Sequence, residues 1–116
     1  MARRPIQKIN SRAKGAAGER EFAQVLKEYG LEARRGQQFS GSKDSPDVVC
    51  SGLTGVHFEV KRVQKGSPYD WLEQAKNDAG GSLPIVAWRR NNHNWVGILD
   101  LADLLHLLII REGTLL

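Results

Sequence analysis

Cysteine occurs once in the 116 residues, at Cys50. A single thiol excludes an internal disulfide and a cysteine-based zinc cluster. It could act as a nucleophile, but it closes an apolar strand pattern, where a cysteine behaves as a small buried hydrophobe. Long apolar runs are lacking too. The longest candidate, Leu104 to Ile110, is broken by His106 and falls far short of the ~20 residues that span a bilayer. The N-terminus is basic but has no apolar segment of the secretory kind. A cytoplasmic protein with no membrane partner is therefore expected. The chain length suits one domain. Apolar residues make up 41% of it, enough for one packed core, and the charged fraction of 26% is ordinary.

Acids are scarce at one end. Arg3, Arg4, Lys8, Arg12 and Lys14 all precede the first acid, Glu19. Residues 1–38 hold nine Lys/Arg against four Asp/Glu, a net of +5, and residues 39–116 hold eight against nine, a net of −1. The whole cationic surplus lies in the first third. Such a distribution suits a polyanion, because each phosphate contact releases condensed counterions. We expect residues 1–10 to form a basic flexible arm and residues 11–116 a single folded domain.

Periodicity supplies the elements. Phe22, Val25, Leu26 and Tyr29 recur at helical spacing after Ser11, and Gly30 offers a stop. Leu31 to Gln38 reads as a strand and Ser40 to Ser45 as a polar loop. Pro46 to Cys50 and Val56 to Arg62 read as two strands around a hairpin loop centred on Leu53. A second helix starts at Ser67, a candidate cap, with Pro68 in its first turn and Asp70 completing a capping-box pattern; Gly80 and Gly81 end it. Leu83 to Trp88 and Trp95 to Leu99 read as strands, and Asp100 opens a leucine-rich helix. The order αβββαββα predicts an α/β (α+β) fold with a mixed five-stranded sheet. Trp71, Trp88 and Trp95 each fall in an apolar pattern and are expected in the core or an interface.

The hairpin carries the chemistry. With Leu53 at the centre of the loop, Asp47 lies opposite Glu59 and Val49 opposite His57. Directly opposed residues have Cβ atoms roughly 4.5–5.5 Å apart, so two carboxylates there repel unless something offsets them. A divalent cation would, and hard oxygen ligands suit Mg²⁺, with Mn²⁺ able to substitute. Lys61, two residues beyond Glu59 on the same face, could orient a water or stabilise charge on a phosphate. A merely solvated face with a Glu59–Lys61 pair is the blander alternative. Glu19 sits on the apolar side of the first helix with Gly15 and Gly18, where a carboxylate needs a partner. The helix dipole could equally account for an acid there. His57 is expected to be packed or hydrogen-bonded rather than a ligand.

These residues resemble a family. Pro46-Asp47, eleven residues, then Glu59-Val60-Lys61 resembles the PD-(D/E)XK nuclease motif. Lys14-Gly15-Ala16-Ala17-Gly18-Glu19-Arg20-Glu21 is similar to the first-helix motif of archaeal-type Holliday junction resolvases, which phages also encode, and Gly41-Ser42 fits the same group. The resemblance covers about residues 11–99. It implies a restriction-endonuclease-like core and a homodimer that binds branched DNA and makes paired nicks with Mg²⁺. It also implies Asp47, Glu59 and Glu19 as metal-site acids and Lys61 as the catalytic lysine. Ser42 would be an auxiliary residue near the scissile phosphate, with Ser40 and Ser45 close by. Gln74 could face the site or be an exposed helix residue. Arg3, Arg4, Lys8, Arg12, Lys14, Arg34, Arg35, Arg62 and Lys65 are the candidate DNA contacts, and no small-molecule cofactor is expected. Flap or duplex cleavage, or DNA binding without catalysis, are the competing readings. The last helix, apolar around nearly its whole circumference from Leu101 to Ile110, should be buried on more than one side, with a partner subunit as one cover.

Overall fold

The computed structural model describes residues 11–36 and 46–113. The elements run α1 (Ser11–Glu28), β1 (Ala33–Arg35), β2 (Val48–Cys50), β3 (Val56–Lys61), α2 (Pro68–Ala79), β4 (Leu83–Trp88), β5 (Val96–Ile98) and α3 (Leu101–Arg111). The five strands form one sheet in the order β1-β2-β3-β4-β5. Only the β3–β4 pair is parallel, with α2 as its crossover; the other pairs are antiparallel. This is the mixed five-stranded sheet and the αβββαββα order that the periodicity implies. The expected basic arm, residues 1–10, lies outside the described residues.

Helices cover both faces of the centre of the sheet. Strand residues alternate between faces, and β4 feeds two cores, through Ala87 on one face and Val86 on the other. Phe58 packs with Phe22, Ala23, Leu26, Val48, Cys50 and Ala87 beneath α1, and partly buried Val60 and Trp95 pack against this cluster. The Phe22 ring meets Phe58 edge-on at 5.1 Å. Leu72 and Ala75 of α2 pack on Val86, which faces the opposite side of the sheet. Val48 and Val86 have no exposed surface, and such burial contributes about 1.5–3 kcal/mol per side chain. The second face, read from sequence as polar, is therefore covered. His57 and Glu59 lie on it and are buried.

Gly18 in α1 shows why a helix tolerates a glycine here. A Cβ at that position would meet the Arg62 Cβ at 2.6 Å, so the missing side chain lets α1 approach the end of β3. The space beside Gly15 is open.

Three expectations differ in detail. The first strand was expected over Leu31 to Gln38, whereas β1 spans Ala33–Arg35. The Leu31 N–H is spent on the Leu26 carbonyl at the end of α1, which delays entry into the sheet. Ser67 occupies the N-cap of α2 but makes no side-chain cap bond, and Pro68 starts the helix without needing an N–H partner. The last helix forms where expected, yet none of its residues is buried by this chain. Asp100 makes no cap bond there; its carboxylate pairs with Lys76 of α2 at 3.0 Å.

Candidate active site

The register decides which side chains meet. Val48 pairs with Phe58, so the neighbouring Asp47 lies across from Glu59. Asp47 precedes β2 and is tied down on both sides. Its N–H donates to the Phe58 carbonyl at 2.9 Å, and its own carbonyl accepts from Gly36 N–H at 2.8 Å. Gly36 is the residue that permits this approach. A Cβ there would lie 1.9 Å from the Pro46 carbonyl oxygen, and a backbone oxygen cannot be turned aside cheaply. The Asp47 carboxylate accepts a hydrogen bond from Val60 N–H at 2.8 Å.

The two acids strain against each other. Burial, then the charge of Glu59, raise the Asp47 carboxyl from the ordinary 3.8 to about 7, against the Val60 N–H, which lowers it. A hydrogen bond between the two carboxyls and the nearby charge of Glu19 push it further the same way. Like charges held close together at a site shielded from water favour the protonated form of a carboxyl such as Asp47. Glu59 is 4% exposed and holds a second partner, His57, whose Nε2 lies 3.0 Å from Glu59 Oε1.

Lys61 follows on the same strand and points to the same face as Glu59. Its ammonium lies 6.0 Å from the Trp71 ring centroid. Trp71 stacks edge-on against Trp88 at 5.3 Å, and the Trp88 indole N–H donates to the Val63 carbonyl at 2.9 Å. Lys61 thus stands beside an aromatic wall built from α2 and β4.

Glu19 reaches the neighbourhood from α1, as its contribution to Asp47 shows. It is 8% exposed and its Oε2 accepts from Arg35 Nε at 2.8 Å. That ion pair links α1 to β1 and places Arg35, one of the candidate DNA contacts, against a site acid. Among the described residues, no three His, Cys, Asp or Glu side chains converge on a point that could hold a metal ion. Two opposed carboxylates remain, and such a pair fits Mg²⁺, which keeps several waters and takes further oxygens from a substrate phosphate.

Arg62 faces away from Lys61. Its Nε donates to Glu21 Oε2 at 3.0 Å, and Glu21 Oε1 also binds Arg89. Lys14, Gly18, Gln64 and Asn91 join Glu21 and Arg62 around an open groove. Lys65, Arg34 and Gln74 are exposed. Ser40, Ser42, Ser45, Arg3, Arg4 and Lys8 lie outside the described residues, as does the side chain of Arg12.

The profile of the archaeal Holliday junction resolvase (Hjc) family matches residues 10–106. The chain belongs to that family. The fold is also similar to that of Hjc, a Holliday junction resolvase from the archaeal hyperthermophile Archaeoglobus fulgidus. The TM-score is 0.54 with 26% identity, over 74% of this chain and 72% of that one. No curated protein sequence matches the chain. Membership in a resolvase family implies a nuclease that acts on branched DNA, and the placement of Asp47, Glu59 and Lys61 fits the PD-(D/E)XK pattern. No helix among the described residues is long and apolar enough to cross a membrane.

Gly36, His57, Arg35 and Trp71 contribute to the site in ways the motif does not contain. The strand alternation that placed Glu59 also placed His57 beside it. The Glu19–Arg35 pair joins two elements whose approach no local pattern encodes.

Proposed function

We propose that the chain is a Mg²⁺-dependent endodeoxyribonuclease that resolves four-way DNA junctions by paired phosphodiester hydrolysis. The observation that carries this reading is the Asp47–Glu59 pair, a part-buried carboxyl facing a buried one, with Asp47 raised to about 7. A fold that places two acids so is stabilised by a divalent cation between them. Asp47 and Glu59 would hold the ion, and Mn²⁺ would replace Mg²⁺. When bound, the ion supplies a polarised phosphoryl oxygen and an activated water. Lys61 donates from Nζ to a phosphate oxygen or to the attacking water, where negative charge develops. Glu19, held by Arg35, adds negative potential beside Asp47 and would help hold the ion or a water. Ser42 is proposed as an auxiliary donor near the scissile phosphate.

DNA is held by phosphate contacts from Arg3, Arg4, Lys8, Arg12, Lys14, Arg34, Arg35, Arg62 and Lys65. The functional unit is a homodimer. Leu101, Leu104, Leu105, Leu107, Leu108 and Ile110 of α3 are all exposed, Leu101 to 67%. Contiguous apolar surface of that kind marks an association site, and a two-fold dimer presents two acid pairs to a junction of matching symmetry.

The test compares cleavage of a labelled four-way junction, a flap and a linear duplex in Mg²⁺. Two symmetric nicks, with the junction cut fastest, support the proposal. Faster cutting of flap or duplex would replace the substrate while keeping the site. Salt-sensitive junction binding without any cut would leave a DNA-binding module.

A further inference from the structure

His57 is among the most buried polar residues described, at 3% exposure. It sits on β3 two residues before Glu59, and both side chains therefore leave the same face of the sheet. Its cross-strand neighbours on that face are Val49, opposite in the β2 register, and Pro84, its partner in β4. Neither offers a polar side chain. The group that satisfies the imidazole Nε2 is Glu59 Oε1, 3.0 Å away, with the two side chains only 4% and 6% exposed.

A glutamate carboxyl turns on a soft terminal torsion. In a buried site, a carboxylate free to turn is a poor ligand, because each orientation must be selected at the moment of binding. With Oε1 accepting from the imidazole, Glu59 cannot rotate without breaking that bond. The bond also gives the buried carboxylate a partner besides its hydrogen bond with Asp47. Carboxylates that bind metal are commonly fixed by such outer partners.

We propose that His57 is a positioning residue, which holds the Glu59 carboxylate in the orientation that binds the divalent ion. This rests on the proposed role of Glu59 as a metal ligand. His57 touches neither DNA nor metal; it acts through Glu59.

The test reads metal binding directly on full-length, DNA-free protein. Free Mn²⁺ is titrated by electron paramagnetic resonance against wild type, H57Q, H57L and E59Q, with thermal melts alongside. The glutamine amide nitrogen reaches about as far as Nε2 and can donate to Oε1, whereas leucine cannot donate. H57Q should stay within about threefold of wild type, while H57L loses about 10–100-fold in Mn²⁺ affinity. In junction cleavage, H57L should raise the half-saturating metal concentration and leave the KM for DNA unchanged. A purely structural role would move the melting temperature and not this split. E59Q should lose Mn²⁺ binding. If E59Q loses it but H57L binds as wild type does, His57 does not position Glu59 and the metal reading stands. Equal losses in H57Q and H57L would also overturn the inference, since the donor would then be irrelevant. Mn²⁺ binding by E59Q at wild-type strength would overturn both. Should H57L not melt cooperatively, H57N takes its place. Its shorter amide stops short of Oε1, and the same loss is expected.

Discussion

Asp47→Asn should make the metal-free protein more stable while destroying its activity. The folded-state pKa of Asp47 is about 7 against an ordinary 3.8, raised first by burial and then by Glu59. Because the folded value is the higher one, the contribution of this carboxyl to stability is fully present below about pH 4. It is lost as pH rises through about 7. Three pKa units correspond to about 4 kcal/mol at pH 8. The amide removes that penalty but accepts the Val60 N–H less strongly than a carboxylate does, so the net gain is about 2–4 kcal/mol. At roughly 4 °C per kcal/mol for a chain of this length, the melting temperature rises by about 8–16 °C. Thermal melts in EDTA at equal protein concentration, at pH 8 and pH 5, test this. The gap should narrow at pH 5, where the wild-type carboxyl is already protonated in the folded state. Millimolar Mg²⁺ should then raise the wild type more than the variant, since only the wild type keeps both ligands. A variant that melts at or below wild type at pH 8, or a gap that ignores pH, would refute the electrostatic argument.

Other perturbations separate the parts of the account. Gly36→Ala would drive a Cβ to 1.9 Å from the Pro46 carbonyl oxygen; we expect a loss of about 1–3 kcal/mol in urea denaturation, with cleavage reduced further because Asp47 shifts. Lys61→Ala should lower kcat on the junction by about 100–1,000-fold with little change in KM, measured by single-turnover and steady-state kinetics. The double variant Leu104→Glu, Leu108→Glu puts charge on one stripe of α3. Light scattering should show it monomeric with an intact far-ultraviolet spectrum, because no residue of α3 is buried in its own chain; a dimer that survives would place the interface elsewhere.

How much was legible from the residues alone depends on how local the cause is. The Asp47–Glu59 opposition followed from one turn and a period of two, and the Val48–Phe58 pairing has that register. The leucine-rich helix announced itself by composition. Its solvent exposure did not, because an all-round apolar helix reads as buried whether its cover is the same chain or another. The capping pattern at Ser67 was a local preference that the backbone did not use, since Pro68 already starts the helix. The covered second face was hidden for a different reason. Alternation marks His57, Glu59 and Lys61 as polar, but only the crossover of α2 over the parallel β3–β4 pair decides that His57 and Glu59 are buried there. The Glu19–Arg35 pair, sixteen positions apart, depends on how α1 docks against β1, and the Gly36 contact on where Pro46 returns. Both are tertiary facts without a sequence period.

Asp47 and Glu59 are proposed to serve a metal-dependent cut in branched DNA. The most direct measurement incubates a four-way junction, labelled on each strand in turn, with wild type, Asp47→Ala and Glu59→Gln at increasing Mg²⁺, while gel shift in Ca²⁺ records binding. Symmetric paired nicks are expected from wild type only, appearing with Mg²⁺ and absent in EDTA, with both variants still binding the junction. Nicks of wild-type rate from either variant, or from wild type in EDTA, would contradict it.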